Sequence, residues 1–512
     1  MRTRFGRTTA MTTDGLHGTP VVIEASVNEG LPGIDIVGLP DTSVNESRKR
    51  IRAAISNLGI TLSPQRITVN LSPGSVRKVG TGFDLGIALA ILAAEGHVPP
   101  AGLSGIVAIA ELGLDGRLHP VRGVLPAVLS GLGQGTERFV VPHANGPEAT
   151  LVEGAHVLAA GNLAEVVNAL GGNELPVPDL PPVPAPASTC TQRQPVNDLA
   201  TVRGQEDARR ALEVAAAGGH HLVMIGTPGA GKTLLAGCLP GLLPPLSEEE
   251  ACEVMALRSL DGSIEPGTGL DRVPPFEAPH HRASASAMVG GSRPGAIGVF
   301  SRAHRGVLFM DEAPEFHRDV LEAMRQPLEN GRCDIHRAWG SVVLPARFQL
   351  VLAANPCPCG GGDGPGKQCR CTPLEQRRYR NRLSGPVLDR IDIRLDVRAV
   401  TPADLRSTTE VESSATVAAR VARARERQRS RWAEAPWSTN AGAPGDVLRK
   451  LFGFSGTETA PLDGALDRGI LTMRGYDRVL RVATTMADLA GRDRPDRSDL
   501  LGALLLRSRE GA

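Results

Sequence analysis

The chain is short of lysine, of aromatic residues and of net charge, and each shortage excludes something. Only five lysines occur, at Lys49, Lys78, Lys232, Lys367 and Lys450, so nearly all positive charge is arginine and each lysine's position is informative. Phe, Trp and Tyr make up 3% of 512 residues, too few for a continuous set of base-stacking platforms. The 56 basic and 55 acidic residues leave a formal charge of +1, which excludes binding to nucleic acid or membrane through bulk charge. A basic channel still fits within that neutral total. Long apolar runs are missing as well. The stretch from Leu85 to Ala94, between Asp84 and Glu95, is about half a membrane span. The opening residues MRTRFGRTTAMTTDG are basic but have no apolar region behind them, so no targeting segment is expected. Eight cysteines in a chain this long do not make a disulfide framework, and four of them crowd between Cys357 and Cys371. A cytoplasmic protein without membrane attachment is the expectation.

What remains is an ordinary globular composition, 41% hydrophobic and 22% charged, rich in Gly (59) and Pro (40). The length suggests about three domains. Residues 173–198 hold seven prolines and no long apolar run, which predicts an extended linker after an N-terminal unit over 1–172. Within that unit Thr19–Val27 and Gln65–Leu71 read as strands, Val44–Leu58 as an amphipathic helix and Phe83–Glu95 as a buried helix. After the linker, strand and helix alternate as in a parallel sheet with crossovers. His221–Ile225, Gly306–Met310 and Phe348–Ala354 are short apolar runs with the character of central strands. From Thr401 the periodicity is helical, through Val417–Trp432 and Tyr476–Leu489, so 199–400 is read as an α/β core and 401–512 as a helical domain.

The chemistry is concentrated in the core. Gly226, Thr227, Pro228, Gly229, Ala230, Gly231, Lys232 and Thr233 match G-x-x-x-x-G-K-[ST] between a predicted strand and a predicted helix. Such a loop turns its N–H groups inward at a helix N-terminus and cradles phosphates. Lys232 would reach the β- and γ-phosphates of ATP, and Thr233 would hold Mg²⁺. Val307–Met310 runs into Asp311 and Glu312, seventy-nine residues after Lys232. A strand ending there would set Asp311 toward Mg²⁺ and Glu312 as general base for the attacking water. Asn355 ends the next apolar strand, where a neutral amide orients water without opposing the γ-phosphate. Arg390, in LSGPVLDRIDIR, is read as a guanidinium that a neighbouring subunit inserts to neutralise charge developing on that phosphate.

By these residues the C-terminal part resembles the magnesium-chelatase-like branch of the AAA+ ATPases. The whole chain is similar to the YifB/ComM family of bacterial competence-associated ATPases. The strings that carry the resemblance are GLPGIDIVGLPDTSVNESRKRIRAAI, PHHRASASAMVGG, GVFSRAHRGVLFMDEAPEF, RAWGSVVLPARFQLVLAANPCPCG and LSGPVLDRIDIR. The resemblance implies an AAA+ P-loop core with a helical C-terminal lid, and a helix-2 insertion over Ser284–His304. It implies a pore-facing hairpin over Arg332–Arg347, with Arg337 near the tip as the contact to a DNA backbone, and Arg474 as the sensor-2 arginine. The N-terminal unit resembles the α+β proteolytic domain of Lon proteases, shared with ribosomal protein S5 domain 2. Gly82 and Leu125 stand where that domain needs a hydroxyl nucleophile and an amine, so peptidase activity is not expected.

Cys357, Cys359, Cys369 and Cys371 form two C-x-C pairs that could close a structural Zn²⁺ site, although the gap is tighter than the usual two residues. Arg420, Arg423, Arg427 and Arg431 fall on one face of a predicted helix, which fits a solvated face paired through Glu426 at least as well as a nucleic-acid patch. The function the sequence points to is a homo-oligomeric, hexameric ring that hydrolyses ATP and acts on DNA in helicase-type branch migration. The alternative is an ATP-dependent remodelling or metal-insertion chaperone with a protein client. A protein partner through the N-terminal unit is the remaining partner expectation.

Overall fold

A computed structural model describes residues 4–179, 181, 183, 197–264, 269–292, 295–337, 340–361, 369–383, 385–406 and 411–507. Most of the proline-rich stretch, and Trp339 at the hairpin tip, lie outside the described residues.

The N-terminal half is built on one seven-stranded sheet. Its strands are β1 (Phe5–Asp14), β2 (His17–Asn28) and β3 (Gly33–Val37), then, after helix α1 (Thr42–Asn57), β4 (Arg66–Ser72). Helix α2 (Asp84–Ala94), β5 (Ile106–Ala108), α3 (Val124–Gly133), β6 (Arg138–Pro142) and β7 (His156–Ala160) follow. The spatial order is β3-β4-β2-β1-β5-β6-β7. A long β1–β2 hairpin, paired from Phe5↔Ser26 to Asp14↔His17, occupies the middle. Asp41 starts α1 by accepting the Val44 N–H at 2.8 Å, so a side chain supplies what the first helical turn lacks. Every residue of α2 is buried, and a helix apolar on all sides fits only between layers. It packs on β1 and β2.

The second half centres on a five-stranded sheet. Its elements begin with α4 (Glu206–Gly218), β8 (Leu222–Ile225), α5 (Lys232–Cys238), α6 (Glu248–Asp261), β9 (Phe276–Glu277) and β10 (Val307–Met310). The hairpin β11 (Arg332–Arg337) and β12 (Gly340–Pro345) precedes β13 (Gln349–Ala354), α7 (Pro373–Arg382) and β14 (Ile393–Asp396). All neighbours in the order β9-β10-β13-β8-β14 are parallel. β10 and β13 are buried at every position, which explains why they read as unbroken apolar runs rather than alternating ones. Helices α8 (Ser414–Arg431), α9 (Met473–Leu489) and α10 (Arg497–Leu505) follow, and α8 and α9 pack on α4. Among the described residues no helix is long and apolar enough to cross a membrane.

The two halves touch directly, which the sequence does not announce. Val124, Leu125 and Val128 of α3 share an apolar cluster with Met255 and Ala256 of α6. Ser259 then receives the Gly123 N–H on its carbonyl at 3.1 Å and the Leu125 N–H on its hydroxyl at 3.3 Å.

One half-buried histidine gives the fold a pH limit. His221 lies next to β8, and its Nδ1 accepts the Leu350 N–H at 3.0 Å. Burial pushes its pKa down from 6.5 to about 4, and burial likewise lowers His304. Between those two pH values the unfolded chain holds a proton that the folded chain refuses. Stability is therefore complete above pH 6.5 and is lost as pH falls toward 4, by up to about 3 kcal/mol for His221 alone. The thermal midpoint should drop across that window, and His221→Asn, which keeps an acceptor for Leu350, should flatten the drop.

Candidate active site

Because the strands of the second sheet are parallel, their carboxyl ends lie on one edge. The loop Gly226–Thr233 leaves β8, Asn355 leaves the adjacent β13, and Asp311 and Glu312 leave β10 beside it. Three separate stretches of sequence thus meet at one place, the usual ligand position of such sheets.

The loop is held from both sides. Gly226 N–H donates to Ala354 O at 3.1 Å. Gln205 Nε2 donates to Ala230 O at 2.6 Å and to Arg398 O at 2.9 Å. Gly231, at φ +89°, takes the left-handed turn that starts α5, a conformation that a side chain would strain. Lys232 is buried, and its Nζ donates to Gly226 O (2.7 Å), Thr227 O (3.1 Å) and Asn355 Oδ1 (3.1 Å). Burial pushes its amine below the ordinary value, while Asp311 and Glu312 oppose that shift. Thr233 Oγ1 donates to Asp311 Oδ2 at 2.8 Å, and Glu312 N–H donates to Asp311 Oδ1 at 2.8 Å. An ammonium bonded to three neutral oxygens, next to a hydroxyl–carboxylate pair, fits a polyphosphate and a hard divalent cation.

Glu312 has a left-handed backbone at φ +51°, unusual for a residue with a side chain and costing about 1–3 kcal/mol. His281 Nδ1 lies 3.2 Å from its Oε2. Both line a cleft of about 440 Å³ with Thr233, Asp311, Phe276 and Phe309. The neighbouring His280 also lines this cleft, its ring 4.2 Å from that of His281, and it accepts the Arg282 N–H at 3.2 Å.

Arg390 and Arg474 stand in a different group. Arg390 pairs with Glu329, not with the adjacent Asp389 or Asp392. Arg474 donates to Asp389 at 3.1 Å, and Arg478 pairs with Asp392. Burial lowers the Arg390 pKa, and Arg474, Arg478 and Arg325 lower it further, so this is a crowd of like charges. The arginine face of α8 is solvated only in part: Arg423 is exposed, whereas the other three arginines are held by carboxylates. Arg420 is clasped by Glu213 and Glu412, Arg427 by Asp493 and Arg431 by Asp488, while Glu426 pairs with Arg429. In the N-terminal half, Lys78 donates to Pro73 O and Thr81 to Glu111, so amine and hydroxyl have separate partners. Arg337 is described through its backbone, opposite Gly340.

Three family models match the chain: magnesium chelatase subunit ChlI over residues 198–405, ChlI of magnesium chelatase over 23–145, and the ChlI C-terminal part over 411–507. An uncharacterized protein of Mycobacterium tuberculosis is 45% identical over 507 residues, covering 98% of both chains. The uncharacterized protein YifB of Escherichia coli is 40% identical over 491 residues, covering 95% of this chain and 92% of its own. The competence protein ComM of Haemophilus influenzae is 39% identical over 487 residues, covering 93% and 92%. The chain belongs to the YifB/ComM magnesium-chelatase-like family. This is an AAA+-type ATPase family with mixed α/β sheets and many helices, and ATP and Mg²⁺ are the ligands it implies. Two residues in this part of the structure carry no mark of a site role in the sequence. Gln205, before α4, donates to the loop at Ala230 O, while His281, after β9, faces Glu312, and each is distant in sequence from the residue it meets.

Proposed function

We propose that this chain is a ring-forming motor, hexameric by resemblance to its family, that hydrolyses ATP and acts on DNA in helicase-type branch migration. The observation that carries this reading is the division of charged groups into two sites. Lys232, Thr233, Asp311 and Glu312 gather on one sheet edge, while Arg390 and Arg474 belong to a separate cluster joined by Asp389 and its neighbours. In a ring each seam combines the first set from one subunit with the second from the next. Asp389 lies beside Arg390 in sequence and bonds Arg474, so both arginines would reach the same neighbour's nucleotide.

Bound Mg²⁺ would offset the charge of the phosphates, held by Thr233 and Asp311. The remaining work falls to the chain. Lys232 exchanges the carbonyls of its own loop for phosphate oxygens, and Asn355, then released, orients water. Glu312 leaves His281 and accepts the water proton at a carboxylate oxygen. Arg390 and Arg474 neutralise charge on the leaving side of the seam.

DNA as the client is supported by the relative named competence protein ComM and by the hairpin β11–β12, whose Arg332, His336 and Ser341 are exposed. The test is turnover with single-stranded, duplex and branched DNA. DNA should stimulate hydrolysis about tenfold, and Arg337→Ala should lose that stimulation while keeping DNA-free turnover. If neither protein responds to any DNA, the client is instead a protein, as for a metal-insertion chaperone.

A further inference from the structure

Cys357 and Cys359 follow Asn355 directly off β13, and Cys369 and Cys371 immediately precede Thr372, the N-cap of α7. The residues between them, 362–368, lie outside the described ones. The four Sγ atoms all lie within 4.8 Å of one another. Cys357 is 3.4 Å from Cys359 and 3.5 Å from Cys369, and Cys359 is 3.8 Å from Cys369. Four thiolates about 2.3 Å from a single ion stand at the corners of a tetrahedron with edges of about 3.8 Å. The spacing is therefore that of one four-coordinate ion. An iron–sulfur cluster, which puts several atoms between its thiolates, needs them farther apart.

The surroundings favour sulfur that carries negative charge. Gly361 N–H points at Cys359 Sγ (3.4 Å), joined by the Arg370 N–H, and Gln376 Nε2 donates to Cys369 Sγ at 3.3 Å. Donors aimed at sulfur are the outer shell that metal-bound thiolates require. Soft anionic ligands, with no oxygen or imidazole among them and no open position, select Zn²⁺ in a structural role.

We propose that Cys357, Cys359, Cys369 and Cys371 bind one Zn²⁺, and that this ion clamps the phosphate loop against the strand that leads into Asn355. The clamp is visible in the packing. Gly360, at φ +75°, lies so close to Pro228 that an added Cβ would come within 2.6 Å of its ring. On the far side the Tyr379 hydroxyl meets the Asn355 N–H, and Arg382 of the same helix donates to Glu315 at 2.9 Å. The ion would tie these pieces into one unit before nucleotide arrives, so that less ordering is left for binding to do.

The proposal is tested on the full chain purified without chelator. Elemental analysis should find one zinc per chain, and a mercurial reagent should release one equivalent. Replacement by Co²⁺ should produce the visible bands of tetrahedral cobalt–thiolate, and Cys359→Ser/Cys371→Ser should lose both metal and bands. Removing zinc from the folded protein should weaken binding of a fluorescent ATP analogue about tenfold, with restoration on adding Zn²⁺ back. A chain with no zinc, whether its four thiols are free or paired as disulfides, overturns the site. Zinc present, with analogue binding unchanged after its removal, overturns the clamp.

Discussion

Glu312→Gln should cut ATP turnover by about a thousandfold while leaving ATP bound. The geometry separates the two effects. Lys232 and Thr233 reach their partners without Glu312, and Asp311 gives one carboxylate oxygen to Thr233 and the other to the Glu312 backbone N–H, which the substitution keeps. A glutamine is isosteric but takes no proton from water, so the lost rate corresponds to about 4 kcal/mol of barrier. Binding by a fluorescent analogue and single-turnover hydrolysis check the two halves. Turnover close to that of the unaltered chain would remove Glu312 from the general-base role, and lost binding would make it part of the grip.

Arg390→Ala should be as severe in turnover, with losses of roughly a thousandfold or more for a trans-acting guanidinium, yet should leave binding within a few-fold. Its distinguishing result comes from mixing. Lys232→Ala chains and Arg390→Ala chains should each be inactive, but in the proposed ring a mixture would contain seams where an intact Lys232 meets an intact Arg390. Turnover should therefore reappear on mixing. A structural role through Glu329 predicts a lower thermal midpoint and no recovery. That outcome would return Arg390 to the role of an internal ion pair.

Much of the molecule was legible because buried parallel strands leave unbroken apolar runs. β8, β10 and β13 were located within a residue or two, and the phosphate loop is defined by its own spacing. β1 was not found, since FGRTTAMTTD alternates small and threonine side chains where large apolar ones would have marked a strand. The partner of Arg390 was missed for another reason. Glu329 is sixty-one residues earlier and reaches it through the fold, whereas Asp389 and Asp392 are merely close in sequence. His281 likewise reads as one half of an unremarkable pair until β9 and β10 lie side by side. The seam between the halves left no trace either, because Met255 and Ala256 look like any inner face of a helix.

That seam changes how the amino-terminal half should be pictured. Ser259 bonds two of its backbone amides, and Gly15, at the tip of the β1–β2 hairpin, lies against Val343 of β12. It is bolted on at two points rather than trailing from a tether. A displacement of either α6 or the β11–β12 hairpin would therefore be passed to a sheet of seven strands at once.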